Sequence, residues 1–269
     1  MVKFSQVFLK DEAMRERIAS HVLALADFSI AENALVEIGP GRGAITSLIL
    51  PHVPSMKAVE IDSQLAAHLK KDFPNLDILN MDFLKTSRRA LFPGASRLFF
   101  FGNLPYRIST AIMEKILDMP DFSAAVFMFQ KEVADKLVAS AGDPDYGYFS
   151  AVCALQSKIK KLLFVPRGCF NPVPKVDSSV VLVEPVNPAP DAEFILMYRK
   201  TVSMCFAHRR KTLPNSISIA SGGTINREMA AEIICRAGID PSLRAEKLGV
   251  EEFRALTEAF RREGLEKGK

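Results

Sequence analysis

A short apolar run that leads into a glycine-rich turn constrains the fold of this chain more than any other feature. Residues 35–46 read Leu-Val-Glu-Ile-Gly-Pro-Gly-Arg-Gly-Ala-Ile-Thr. The apolar run suits a buried strand, and the glycines permit a tight turn with positive φ that a ligand can approach closely. A helix is expected directly after the turn. The pattern therefore predicts the opening strand, turn and helix of a nucleotide-binding α/β sheet.

Later apolar runs also end in polar side chains. The run 58–62 ends in acids at Glu60 and Asp62, and the run 76–84 carries Asp82 near its end. Asp62 is expected to cap a following helix, while Glu60 can accept hydrogen bonds from both hydroxyls of a ribose. In open α/β sheets ligands bind outside the carboxyl ends of strands, so these acids are expected to line one site.

The segment 98–106 reads Leu-Phe-Phe-Phe-Gly-Asn-Leu-Pro-Tyr and predicts a buried strand with Asn103 at its carboxyl end. Pro105 keeps Leu104 extended, so the Leu104 carbonyl can point outward beside the Asn103 side-chain oxygen. Two acceptors and the ring of Tyr106 suit an exocyclic purine amine, because the acceptors bind its N–H groups while the ring stacks on the base.

Asn-Leu-Pro-Tyr resembles the catalytic motif of adenine-N6 methyltransferases that use S-adenosylmethionine, in the variant found in ribosomal RNA adenine dimethyltransferases. Five further segments resemble motifs of that family in the same order. They are Gln-Val-Phe-Leu at 6–9, the glycine turn with Glu37, Gln-Lys-Glu-Val-Ala at 130–134, the Phe-x-Pro-x-Pro-Lys-Val-Asp-Ser segment at 170–178, and Arg-Arg-Lys-Thr-Leu at 209–213. The chain is therefore identified as similar to the small-subunit ribosomal RNA adenine dimethyltransferases.

The resemblance implies an α/β fold, with a Rossmann-like S-adenosylmethionine-dependent methyltransferase domain and a small all-helical C-terminal domain. The proline-rich stretch 185–190 is typical of a linker, and helical periodicity prevails beyond it. The predicted domains are residues 1–184, which would bind S-adenosylmethionine, and residues 191–269, which would bind RNA. The run 150–165 is expected to be strand-like.

The resemblance also implies residue roles. The cofactor S-adenosyl-L-methionine is expected to contact Gln6, Val7, Leu9, Glu37, Gly39, Gly41, Glu60, Ile61, Asp82, Phe83 and Asn103, with Val7 acting through its backbone and Phe83 lying against the adenine ring. The catalytic group is expected to comprise Asn103, Leu104, Pro105 and Tyr106, with Phe170 bordering the target base. The implied reaction is dimethylation of N6 on two adjacent adenosines near the 3′ end of small-subunit (16S) ribosomal RNA.

Two cationic groups are candidates for RNA contact. Lys158, Lys160 and Lys161 lie in one run, and His208, Arg209, Arg210 and Lys211 form another. A group of lysines on a strand usually marks a solvated edge strand, and a run of charges usually marks a solvated helix face. The overall charge of +4 is by itself weak support for RNA binding. The match to Arg-Arg-Lys-Thr-Leu favours phosphate binding by the second group, with the small ribosomal subunit as partner.

Three other functions are consistent with parts of the pattern. A dehydrogenase would use the glycine turn with Glu60 as the ribose acid, but it has no use for residues 103–106. A large-subunit ribosomal RNA adenine methyltransferase of the antibiotic-resistance type shares the core motifs. A noncatalytic ribosome-assembly or transcription factor could keep the fold, although an intact Asn-Leu-Pro-Tyr favours activity.

Composition narrows the class further. No uninterrupted apolar segment in the 269 residues is long enough to span a bilayer, and the start lacks a signal-peptide apolar core. The four cysteines and four histidines are scattered, so we expect reduced packing cysteines and no metal site. A cytoplasmic location is the resulting expectation, and a monomer is expected because the sequence shows no heptad repeat and no unexplained exposed apolar stripe.

Overall fold

A computed structural model describes residues 7–104 and 108–264 of the chain. Contacts divide the chain into two units, the first formed by 1–134 with 158–185 and the second by 135–157 with 186–269. Gln6, Pro105 and Tyr106, three of the predicted site residues, lie outside the described residues.

A seven-stranded sheet dominates the first unit. Its strands are β2 (Asn33–Ile38), β3 (Met56–Val59), β4 (Asp77–Leu79), β5 (Arg97–Asn103), β6 (Phe122–Gln130), β7 (Ser157–Val165) and β9 (Ser178–Pro185). They lie in the order β4-β3-β2-β5-β6-β9-β7. The five strands β4, β3, β2, β5 and β6 run parallel to one another, while β9 is antiparallel to β6. Strands β1 (Phe8–Leu9) and β8 (Phe170–Asn171) form a separate two-stranded sheet.

Helices connect these strands along the chain. They are α1 (Glu12–Leu23), α2 (Thr46–Ile49), α3 (Ser63–Asp72), α4 (Arg88–Leu91), α5 (Ser109–Leu117) and α6 (Lys131–Val138). Asp11 caps α1 by accepting a hydrogen bond from the Met14 N–H at 2.8 Å. Asp62 caps α3 as predicted, because its carboxylate accepts from the N–H groups of Gln64 and Leu65.

Aromatic residues of β5 show why the sheet is buried on both faces. Phe99, Phe100 and Phe101 are each at most 1% exposed, although successive strand residues point to opposite faces. Phe99 packs edge-on against Phe28 and Phe100 packs edge-on against Phe83. A parallel strand covered on both faces reads as a continuous apolar run, which is the pattern that predicted β5.

The second unit is helical and has its own core. Its helices are α7 (Tyr148–Gln156), α8 (Ala192–Phe206), α9 (Leu213–Ala220), α10 (Arg227–Arg236) and α11 (Val250–Arg262). Tyr198 is fully buried, packs against Phe253 with ring centroids 6.2 Å apart, and donates its hydroxyl to the Ala151 carbonyl at 3.1 Å. The apolar faces of α8 and α11 therefore belong to one common core.

The structure confirms the α/β class with a mostly parallel central sheet and a helical C-terminal region, and it corrects two details. Residues 148–156 form helix α7, so the strand-like run predicted from residue 150 begins only at Ser157. Residues 135–157 group with the C-terminal helices, which a single boundary at 185–190 did not foresee.

Candidate active site

The carboxyl ends of four neighbouring parallel strands form one edge of the sheet. The register pairs Val59 with Leu79 and Ile38 with Val59, so the residues after β4, β3 and β2 emerge side by side. The chain builds outward from β2 to β4 and then returns to β5 on the other side of β2, which makes this edge a topological switch point where ligands bind. Three strand spacings separate β4 from β5, roughly 14 Å.

Glycines let the backbone turn tightly at the centre of this edge. Gly39 and Gly41 have φ values of 67° and 61°, the left-handed region that favours glycine. A β-carbon on Gly39 would lie 3.9 Å from the backbone carbonyl oxygen of Asn103, so the turn passes directly beside that residue. A β-carbon on Gly102 would collide with the carbonyl of Ile38, which means that only glycine allows β5 to approach the end of β2 this closely.

Glu60 is held rigidly next to the turn. It is 5% exposed, and its two carboxylate oxygens accept hydrogen bonds from the N–H groups of Gly41 at 3.2 Å and Asp62 at 3.0 Å. Desolvation raises the pKa of Glu60, and these backbone hydrogen bonds oppose that shift. Each oxygen keeps a lone pair that can accept a ribose hydroxyl, which fits the predicted role.

The residue after Glu60 supplies an apolar surface, and the chain after β4 supplies a second acid. Ile61 is 47% exposed, an unusual exposure for isoleucine and one that suits contact with a flat ring. The Asp82 carboxylate accepts from the Leu84 N–H at 2.9 Å and begins a 3₁₀ turn over Phe83–Lys85. Its other oxygen can accept from an adenine amino group.

The Phe83 side chain is buried next to this acid. It is 4% exposed and packs edge-on against Phe100 in the core. The predicted run 76–84 is a strand only as far as Leu79, where β4 stops and the chain turns. Contact of Phe83 with a bound adenine stays a prediction, and with the side chain buried its backbone would make that contact.

Glu37 lies beneath the turn. It is 3% exposed, and the Thr46 hydroxyl donates to its carboxyl at 2.6 Å. Burial raises the pKa of Glu37 to about 8, although the Thr46 hydrogen bond opposes the shift and the nearby charge of Glu60 adds to it. The side chain joins the end of β2 to the first residue of α2, so Glu37 supports the turn from below.

The catalytic segment begins where β5 ends. Asn103 is half-buried and pairs in register with Met128 of β6, and the Leu104 N–H donates to the Met128 carbonyl at 3.2 Å. The Leu104 side chain is 1% exposed, so it anchors the segment in the core. The backbone of Asn103 is thereby held at the end of β5 beside the glycine turn, while the parts contributed by the Asn103 side chain, Pro105 and Tyr106 remain predictions.

The N-terminal element and Phe170 meet in the small sheet. Leu9 pairs with Phe170, and both side chains are buried at 6% and 1% exposure, while Val7 packs partly buried against the same core. Phe170 is therefore buried in this structure, and its place beside a target base stays a prediction. The sequence alone does not reveal that pairing of β1 with β8 buries this residue.

Phe8 and Arg42 were not predicted and yet border the turn. The Arg42 guanidinium lies 4.7 Å from the centroid of the Phe8 ring, and a β-carbon on Gly41 would lie 3.3 Å from that ring. Two features of the sequence could have indicated this contact: Arg42 is the variable residue of the Gly-x-Gly turn, and Phe8 is the aromatic residue of the N-terminal motif. Together they place the N-terminal segment over the glycine turn.

The two cationic groups have different settings. Lys158, Lys160 and Lys161 are exposed on β7, the last strand of the sheet, as expected for a solvated edge. The residues 208–211 are exposed in the turn between α8 and α9 and are not on a helix face. The Arg209 guanidinium donates to the Tyr146 carbonyl at 2.9 Å within the same unit, so part of its function is structural.

The described residues contain no cluster of three or more metal-ligating side chains. Nor does the described part of the chain include a helix long and apolar enough to cross a membrane. None of the four cysteines, all of which are described, forms a disulfide; Cys235 is exposed and is thus not the packing residue that was expected.

Four groups lie along the carboxyl ends of β4, β3 and β2. After β4 comes the Asp82 carboxylate, which can accept from an amino group. After β3 come the exposed Ile61 side chain and the Glu60 carboxylate, which can bind a ribose, and after β2 comes the glycine turn. This set of groups fits S-adenosylmethionine. Together with the strand order it defines a Rossmann-like methyltransferase that uses this cofactor. The family profile described as ribosomal RNA adenine dimethylase matches residues 2–261. The chain belongs to the ribosomal RNA adenine dimethylase family.

Similar proteins agree with this assignment. "Ribosomal RNA small subunit methyltransferase A" of Syntrophotalea carbinolica is 39% identical over 95% of both chains, and the protein of that name from Geobacter metallireducens is 37% identical over 95% of this chain and 93% of its own. A crystal structure of a dimethyladenosine transferase from Plasmodium falciparum has a TM-score of 0.76 at 25% identity, covering 96% of this chain and 98% of the other. The 23S rRNA methyltransferase ErmE shares the fold, with a TM-score of 0.66 at 24% identity over 94% and 99% of the two chains.

Proposed function

We propose that this protein transfers methyl groups from S-adenosylmethionine to N6 of two adjacent adenosines near the 3′ end of small-subunit ribosomal RNA, twice at each base. The observation that carries the proposal is the position of Asn103, which ends β5 beside the glycine turn at the switch point of the sheet. An amide acceptor at this point meets a purine amine where the cofactor's methyl group is expected.

The residues of the chain act by alignment and electrostatics. S-adenosylmethionine, when bound, supplies a methyl group on a positively charged sulfur. The Asn103 side-chain oxygen and the Leu104 carbonyl accept the two N–H groups of the target amine, which draws that nitrogen toward tetrahedral geometry and frees its lone pair for attack. Glu60 and the glycine turn fix the cofactor, so the two reactants meet at about 3 Å in a defined direction.

The small subunit is the favoured source of the target. Relatives at 39% and 37% identity carry the small-subunit name over nearly the full chain, whereas the likeness to ErmE extends to the fold alone. We assign cofactor binding and catalysis to the first unit, which holds most of residues 1–184, and RNA binding to residues 191–269 of the second, with a monomeric protein acting in the cytoplasm. Within the RNA-binding part, Arg210 and Lys211 are the strongest candidates for phosphate contacts because Arg209 is engaged with Tyr146.

Methyl transfer from labelled cofactor to three substrates tests the proposal. Free small subunits, naked small-subunit RNA and large subunits are incubated with the parent protein and with Asn103→Ala, and the digested RNA is analysed for dimethyladenosine. We expect the modified base at two adjacent positions in small subunits only. Modification confined to large-subunit RNA would favour the antibiotic-resistance type, and bound cofactor without transfer to any substrate would favour an assembly factor.

A further inference from the structure

Lys115 of α5 holds the turn that follows Asp82. Its ammonium donates to the carbonyl of Leu84 at 2.8 Å and to the carbonyl of Thr86 at 2.6 Å, and it lies 5.5 Å from the centroid of the Phe83 ring. The cation therefore closes the end of the 3₁₀ turn, where carbonyl groups point outward and a positive charge is favourable. The ring of Phe83 forms the floor of this contact.

Other hydrogen bonds also hold this turn. The Asp82 carboxylate accepts from the Leu84 N–H, and the Thr86 hydroxyl donates to the Phe83 carbonyl at 2.7 Å. Leu84 binds Asp82 through its N–H and Lys115 through its carbonyl, so a single residue links the acid to the cation. Burial lowers the pKa of Lys115, and the attraction of Asp82 opposes that shift, which is consistent with this proximity.

The helix that carries Lys115 also begins directly after the catalytic segment. Helix α5 starts at Ser109, six residues after Asn103, and Lys115 lies in its last turns. A shift of the turn at Asp82 is thereby linked mechanically to the helix that follows the target-base motif. No residue role predicted from the sequence includes this lysine.

We propose that Lys115 is a positioning residue that orients Asp82 toward the adenine amino group of S-adenosylmethionine. The inference rests on the proposed function, in which Asp82 receives the adenine. Lys115 itself need not touch the cofactor. Lys115 fixes the direction of the Asp82 carboxylate, so it strengthens the preference of the site for a cofactor that carries adenine.

The test compares two ligands that differ at one group. S-adenosylhomocysteine carries the 6-amino group, and S-inosylhomocysteine carries an oxo group there. Calorimetry gives the ratio of their affinities for the parent protein, Lys115→Met, Lys115→Arg and Asp82→Asn. Lys85→Met is the matched control, because Lys85 is exposed on the same turn and its removal takes away the same charge without the two carbonyl contacts.

We expect Lys115→Met to reduce the preference for the adenine ligand about tenfold, as for loss of a well-placed hydrogen bond to a charged group, and Lys115→Arg to restore part of it. Lys85→Met should keep the parent ratio. If Asp82→Asn loses the preference while Lys115→Met keeps it, the positioning role is wrong and the adenine site stands. If Asp82→Asn also keeps it, the adenine site itself is misplaced. Lys115→Gln, which keeps one donor, replaces the methionine variant should that protein fail to fold.

Discussion

The hydroxyl of Thr46 donates a 2.6 Å hydrogen bond to the carboxyl of Glu37, and both side chains are buried. One belongs to the end of β2 and the other to the start of α2, so the bond closes the base of the glycine turn. A carboxyl group in this position is more stable protonated than ionised, because burial raises its pKa to about 8.

Stability should therefore depend on pH through Glu37. Its folded pKa of about 8 lies above the unfolded value of 4.5, so the folded state binds more protons between these values and stability falls as the pH rises through that window. Glu37→Gln keeps an acceptor for Thr46 and cannot ionise. Its melting temperature should exceed that of the parent by roughly 5 °C at pH 8.5 and should be close to the parent value at pH 5. Equal pH dependence of the two proteins would show that Glu37 is not the responsible group.

The approach of Gly102 to Ile38 gives a second prediction. Gly102→Ala places a methyl group against the Ile38 carbonyl, which belongs to the backbone and cannot rotate away. We expect a loss of about 3 kcal/mol in the free energy of unfolding and weaker cofactor binding, since β5 must move away from the turn. Gly94→Ala is the control, because nothing lies within 4 Å of its β-carbon and its φ is not positive. Similar denaturation midpoints for both variants would contradict the close approach.

Much of this architecture could be predicted because local chemistry dictates it. The glycine turn after an apolar strand, the Asp62 cap and the buried stripes of α8 and α11 depend on residues near in sequence. Helix α7 was missed because Tyr148–Gln156 is short and rich in apolar residues, and periodicity alone does not separate a buried helix from a buried strand in such a segment.

Tertiary contacts bury side chains at the site that the sequence alone does not identify as buried. Phe170 is enclosed by pairing with Leu9, which lies more than 150 residues earlier, and the Phe83 ring turns inward because β4 ends after three residues. The bond from Arg209 to Tyr146 likewise joins distant parts of the chain. Motifs identify residues that are expected to contact a ligand, but they do not reveal which of those side chains are buried in the core.

The RNA-binding turn can be dissected by charge removal. Arg210→Ala combined with Lys211→Ala should weaken small-subunit binding and reduce the slope of log affinity against log salt by roughly 1 to 2 units, because each lost phosphate contact removes about one released counterion. Lys70→Ala combined with Lys71→Ala removes the same charge from exposed positions on α3 and should leave the slope unchanged. Filter binding over a salt series measures both. Identical slopes for the two pairs would mean that residues 210–211 form only a solvated turn.

The central claim is that Asn103 holds the target amine as the methyl group arrives, and single-turnover transfer to small subunits at saturating cofactor tests it most directly. The hydrogen bond from the amine to Asn103 strengthens as positive charge develops on the nitrogen. Asn103→Ala should therefore slow transfer by about 10² to 10³, while the dissociation constants for S-adenosylmethionine and for the particle stay near those of the parent. Transfer by Asn103→Ala at the parent rate would contradict the two-acceptor mechanism.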